Sequence, residues 1–219
     1  MNRSRPLVMP LALLLAGASL AAACGDNSKS SATPIAATCA PADGSAKRTV
    51  QFSAAPPMCL VDGKRYVAII ETSEATLRVD LRADIAPNTV NNFVNLARFH
   101  YFDGTTCHRA VQNFVVQCGR PSATGSDGPG YEFADELAKI EPYRIGSLAM
   151  ANHGANTNGS QWFIVTGDDG TVLAPKYTLF GQVEDNDLGN LVLLDKIANP
   201  ADGPPLQPID IISVRIEEK

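Results

Sequence analysis

The feature that most constrains the fold is a period-two alternation. Ala75, Leu77, Val79 and Leu81 alternate with Thr76, Arg78, Asp80 and Arg82, which places the apolar side chains on one face of an extended strand and the polar ones on the other. Tyr66-Val67-Ala68-Ile69-Ile70 upstream reads as a buried strand, and Thr72-Ser73-Glu74 between the two predicts a hairpin. A second alternation sets Ile209, Ile211 and Ser213 against Asp210, Ile212 and Val214. Short strands are expected between them at 105–111, 114–118, 146–151, 162–166 and 178–183. One helix is expected from Pro87, because Val90, Phe93, Val94 and Ala97 recur on one face and proline suits a first helical turn. A second, shorter helix is expected over about 189–197. Many short antiparallel strands with two helices imply a closed barrel capped at its ends.

The first 63 residues have a different texture. Arg3 and Arg5 precede an apolar stretch from Leu7 to Ala23 that contains Pro10 and Gly17 and is short for a membrane span. It ends in Leu20-Ala21-Ala22-Ala23-Cys24-Gly25. Residues 1–23 therefore resemble a bacterial lipoprotein signal peptide, in which Cys24 is acylated and becomes the first mature residue. Ala21 stands where that family usually has leucine, and the alternative is an ordinary signal peptide cut near Ala23. Residues 24–63, rich in Ser, Thr, Ala, Gly and Pro, read as a tether and irregular lead-in to a domain at 64–219. The resemblance implies an extracytoplasmic protein anchored to the cell membrane by lipid. The chain has a formal net charge of -5 and no run of Lys or Arg, which argues against nucleic acid as a partner.

The common catalytic signatures are missing. The sequence has no phosphate-binding glycine loop, no G-x-S-x-G elbow and no H-E-x-x-H, and its three histidines lack paired ligand spacing. No metal and no cofactor is expected, so an enzyme built on this chain works without either.

Two segments carry the most specific information. The first is Cys107-His108-Arg109-Ala110-Val111-Gln112-Asn113-Phe114-Val115-Val116-Gln117. The second is Met150-Ala151-Asn152-His153-Gly154-Ala155-Asn156-Thr157-Asn158-Gly159-Ser160-Gln161-Trp162-Phe163. Together they resemble the core motifs of cyclophilins, in the same order and separation, within a likeness that runs from about 66 to 216. The resemblance implies a mainly β fold: a closed antiparallel eight-stranded barrel capped by two α-helices. It also implies a monomeric peptidyl-prolyl cis-trans isomerase that acts on proline-containing polypeptides, here exported ones, without cofactor or covalent intermediate. A non-catalytic chaperone or binding module for such chains is the alternative, and Arg109 weighs against it because a pure binder does not need that residue. A receptor for a small solute would need a longer, two-lobed chain.

The chemistry of the residues agrees with this implication. Rotation about a peptide bond meets a barrier of about 18–20 kcal/mol, and uncatalysed prolyl isomerisation takes roughly 10–100 s. In the twisted transition state the imide nitrogen regains a basic lone pair, and a donor that meets it stabilises that state selectively. Arginine, permanently charged and rigidly forked, suits the task. The resemblance assigns catalysis to Arg109, Phe114 and Gln117. It assigns an apolar proline pocket to Phe114, Val115, Phe163 and Leu173, and to Gln117, Ala151, Asn152 and Gln161 the holding of the substrate backbone or the orienting of the arginine. Tyr177 and Val172 fall at its rim, Val172 where many cyclophilins carry tryptophan. Val115 replaces a common methionine, Arg120 an aspartate, and Cys107 and Cys118 a phenylalanine and a glycine. A regular hairpin would set Gln117 on the opposite face from Arg109, so a twist or bulge is required.

Beyond Cys24, four cysteines remain, and export permits disulfides. Cys39 and Cys59 flank the lead-in and are candidates to pin it to itself. A two-residue turn at Gln112-Asn113 would set Cys107 opposite Cys118, within bridging range; the alternative is two buried free thiols.

Overall fold

The computed structural model describes residues 35–121, 128–139 and 141–219. The expected leader, Cys24 and the start of the tether lie outside the described residues.

The body is built on one antiparallel sheet. β1 (Tyr66–Thr72) and β2 (Thr76–Leu81) form the expected hairpin, its turn closed by the Thr72 hydroxyl, which accepts hydrogen bonds from the Glu74 and Ala75 amides. β3 (Thr105–Thr106), β4 (Arg109–Val111), β5 (Val115–Cys118), β6 (Ser147–Met150), β7 (Trp162–Val165), β8 (Leu179–Val183) and β9 (Asp210–Glu218) complete it in the order β3-β9-β1-β2-β8-β6-β7-β5-β4. The sheet has nine strands where eight were expected. The extra one comes from a break: the single strand expected over 105–111 is interrupted at Cys107-His108, and its halves form the two edges of the sheet. The sheet thus curls until edges separated by only two residues of chain come together.

The second alternation also holds a break. Glu71 faces Ser213 but Thr72 faces Ile211, so Ile212 is a bulged extra residue. It is exposed, and the parity of β9 flips beyond it, so that Val214 rather than Ser213 is buried.

The concave side packs around the stacked Phe93 and Phe102, with Tyr66, Leu77, Leu148, Trp162 and Phe180. Helix α1 (Pro87–Arg98) supplies Val90, Phe93, Val94 and Ala97 to this core. Its N-terminus is capped from a distance. The Glu136 carboxylate accepts hydrogen bonds from the Asn88 and Thr89 amides, at 3.1 and 2.8 Å, where the helix leaves donors unpaired. A four-residue helical turn, α2 (Asp168–Thr171), follows β7, and α3 (Leu191–Lys196) continues from a 3₁₀ stretch, Asp185–Asn190.

The polar side of α1 is covered as well. Asn91 and Asn95 are buried, and each amide clasps the backbone of the lead-in. Asn95 accepts from the Ala40 amide and donates to the Thr38 carbonyl; Asn91 accepts from the Cys59 amide and donates to the Pro57 carbonyl. Phe52 is buried against Phe99, with ring centroids 5.2 Å apart, and Cys39 is bonded to Cys59. The described part of the lead-in is therefore joined to the globular body, and packing does not begin at residue 64.

Candidate active site

The site starts from the length of one turn. β4 and β5 are joined by three residues, Gln112-Asn113-Phe114, not two. The ladder pairs Arg109 with Gln117, Ala110 with Val116 and Val111 with Val115. Asn113 takes the left-handed conformation (φ 57°) that asparagine tolerates, and the Phe114 amide closes the turn on the Val111 carbonyl. A one-residue change of register reverses every side chain. Arg109 and Gln117 accordingly face each other on the outer side, which removes the conflict in the two-residue reading, while Ala110 and Val116 point into the core. The corrected register no longer sets Cys107 opposite Cys118. They are bonded nonetheless, with Cα atoms 4.1 Å apart, because the break at Cys107-His108 turns Cys107 inward. The tip of the turn is gripped from below. The Asp195 carboxylate accepts from the Asn113 amide, and a Cβ at Gly167 would lie 2.4 Å from the Asn113 backbone, so only glycine fits there.

On the outer face a second apolar cluster forms, separate from the main core: Val115, Tyr143, Ala149, Phe163, Val165 and Leu179, with Phe114, Ala151, Leu173 and Tyr177 against it. Over it opens a cavity of about 240 Å³ lined by Arg109, Phe114, Val115, Gln117, Ala151, Asn152, Phe163, Leu173 and Tyr177. Nine of the sequence-derived positions thus meet around one hollow. Gln161 is just beyond it, in an adjoining cavity of about 670 Å³ that shares Gln117, Ala151 and Asn152. The Gln117 amide donates to the Gln161 side-chain oxygen at 3.0 Å, linking the two. Val172 is not brought in: it ends α2, is 82% exposed and lines neither cavity. The wall at 173–177 instead follows from Leu173 and Tyr177, the latter ring edge-on to Phe163 at 5.4 Å.

Two residues that sequence reasoning missed hold the site in place. The Tyr143 hydroxyl donates to the Tyr177 carbonyl at 2.7 Å and accepts from the Tyr177 amide at 3.0 Å, clasping the rim. Burial pushes the Tyr143 phenol up to about 12, so it stays protonated and able to donate. The second is Asp202, whose carboxylate accepts from Arg109 Nε and Nη2 at 2.6 and 3.1 Å. It lies 93 positions along the chain, and no local pattern marks it. The Arg109 guanidinium also lies over the Phe114 ring, 5.5 Å from its centroid. Beside it, His108 is pushed down to about 4, first by burial and then by Arg120 and Arg109.

A cationic fork at the lip of a small apolar pocket, with amides along one side, suits an uncharged ring bearing a basic atom at its edge. Comparison with known proteins leads to the same place. Residues 67–216 match the family model described as cyclophilin type peptidyl-prolyl cis-trans isomerase/CLD. A probable peptidyl-prolyl cis-trans isomerase B of Mycobacterium tuberculosis is 39% identical over 167 residues, covering 67% of this chain and 53% of that protein. The chain thus spans about half the length of that relative. A peptidyl-prolyl cis-trans isomerase of Synechococcus elongatus is 42% identical over 120 residues, covering 55% of this chain and 81% of the relative. Among solved structures, a Cryptosporidium parvum cyclophilin type peptidyl-prolyl cis-trans isomerase, determined in the presence of the dipeptide Ala-Pro, superposes with a TM-score of 0.63 at 29% identity. That likeness covers 70% of this chain and 99% of the other. The chain belongs to the cyclophilin-type peptidyl-prolyl cis-trans isomerase family.

Proposed function

We propose that the protein catalyses cis-trans isomerisation of peptide bonds preceding proline in exported polypeptides. The observation that carries the reading is the position of Arg109 at the lip of the apolar cavity. Val115, Phe163 and Leu173 receive the proline ring, with Phe114 closing one side. Gln117, Ala151, Asn152 and Gln161 hold the flanking backbone. Arg109 then donates to the imide nitrogen as resonance is lost, an interaction absent from both planar ground states, so it lowers the barrier rather than merely tightening binding. No covalent bond forms and no proton leaves the enzyme.

The proposed location is extracytoplasmic, with the chain tethered through an acylated Cys24. Support comes from the leader sequence and from two disulfides, which persist in oxidising compartments.

A protease-coupled assay on a proline-containing tetrapeptide tests the activity. Arg109→Ala should lower kcat/KM by roughly 10²–10³-fold, as loss of a transition-state donor does, while thermal unfolding stays near that of the wild type. Retention of more than about half the wild-type rate would refute the role of Arg109. Binding of the peptide without rate enhancement by the wild type would favour the non-catalytic reading. In the same cells, the wild type should partition into detergent and Cys24→Ser should not; an unmodified wild-type N-terminus by mass spectrometry would refute the anchor.

A further inference from the structure

Arg109 is not left to find its own conformation. Its Nε–Nη2 edge is fully engaged by Asp202, in the two-pronged geometry that fixes the guanidinium plane as well as its distance. One face lies against Phe114. Among the described residues nothing accepts a hydrogen bond from Nη1, so that edge is the part of the group left to donate toward the cavity.

The loop carrying Asp202 is itself seated on the strand that carries Arg109. The Ala110 amide donates to the Gly203 carbonyl at 3.0 Å, the Asn199 amide to the Ala110 carbonyl at 2.9 Å, and the Gln112 amide to the Asn199 carbonyl at 2.9 Å. The Asn199 side chain closes the loop internally, accepting from the Ala201 amide and donating to the Pro204 carbonyl. Carboxylate and guanidinium are thus mounted on two segments whose backbones are hydrogen-bonded to each other. The pair contributes little to stability, because Asp202 is 72% exposed and water screens such surface pairs. A rigid mount for an ion pair of small energetic weight makes sense if its purpose is orientation.

We propose that Asp202 is a positioning residue for Arg109, holding the guanidinium so that its Nη1 edge is presented to the nitrogen of the bound proline. The proposal rests on the isomerase reading above. A long arginine side chain has several rotamers, and misalignment of a catalytic group is reflected directly in the rate. Asp202→Ala should therefore lower kcat by about 3–10-fold with KM nearly unchanged, since no cavity-lining residue is replaced. Asp202→Asn keeps one acceptor and should fall between alanine and wild type.

Two measurements separate positioning from a general structural effect. In the Arg109→Ala background, Asp202→Ala should produce no further loss, because the group it orients is gone. By NMR, the Arg109 Nε–H resonance should be slow to exchange in the wild type and averaged or broadened in Asp202→Ala. The proposal is overturned if Asp202→Ala leaves kcat unchanged or raises it. It is also overturned if the loss is equal in both backgrounds, or if the Nε–H signal is unaffected. An inactive wild type would instead overturn the isomerase reading, and the NMR comparison would still decide whether Asp202 orients Arg109.

Discussion

Opening the Cys107–Cys118 bridge should destabilise the protein by about 3 kcal/mol. The bond closes a short loop, with a sequence separation of 11, and restricting an unfolded chain over that length is worth about 3 kcal/mol on the loop-entropy model. Both cysteines are fully buried in the main core. Reduction leaves two thiols in nearly the same space, so it isolates the cross-link, whereas Cys107→Ala with Cys118→Ala also removes sulfur contacts and adds roughly 1–2 kcal/mol. In a domain of this size 1 kcal/mol moves Tm by about 2–4 °C, so reduction alone should lower it by about 6–12 °C. The experiment is urea unfolding in a Cys39→Ser, Cys59→Ser background, with and without reductant, so that only one bridge responds. Activity should fall too, because Cys107 lies two residues before Arg109 and Cys118 follows Gln117. A reduced protein within about 1 kcal/mol of the oxidised one would refute the reasoning. The ladder around the break would then hold the two segments without the bond.

Two further outcomes are expected. Glu136→Gln should lower stability by about 1–2 kcal/mol in urea unfolding, because the first turn of α1 loses a charged acceptor shared by two amides; an unchanged midpoint would remove the remote cap. His108 should make stability fall with acidity: its folded pKa of about 4 lies below the ordinary 6.5, so between those values the unfolded chain binds a proton that the folded one does not. Unfolding free energies at pH 7 and pH 5 should therefore differ less in His108→Phe than in the wild type, and equal differences would refute this.

Most of the strands were legible because half-buried strands leave a period-two trace, and α1 because its core stripe has helical spacing. Several features were not. The extra turn residue depends on Asn113 adopting a positive φ and on one hydrogen bond, and Gln112-Asn113 alone suits a two-residue turn as well. The bulge at Ile212 hides because isoleucine is apolar whichever side it faces. The lead-in has no period, since it is held through backbone groups by Asn91 and Asn95, which look like a solvated helix face. Nine cavity residues were found because they fall within compact motifs, whereas Val172 was placed by counting across the loop containing α2, and Asp202 and Tyr143 act from distant segments.

The break between β3 and β4 has a consequence for the order of assembly. Thr105 and Thr106 pair with β9, and Arg109 to Val111 pair with β5, so one short stretch of chain belongs to both edges of the sheet. β1 also waits for β9, with Tyr66 facing Glu218. A chain emerging from its N-terminus can form the β1–β2 and β4–β5 hairpins early, but the seam can close only after β9 has been made. Such distant pairings are slow to form. Until they do, β1 and β3 present unpaired edges of the kind that recruit foreign strands. By this topology, a protein whose family assists other chains past a slow step passes through a vulnerable interval of its own.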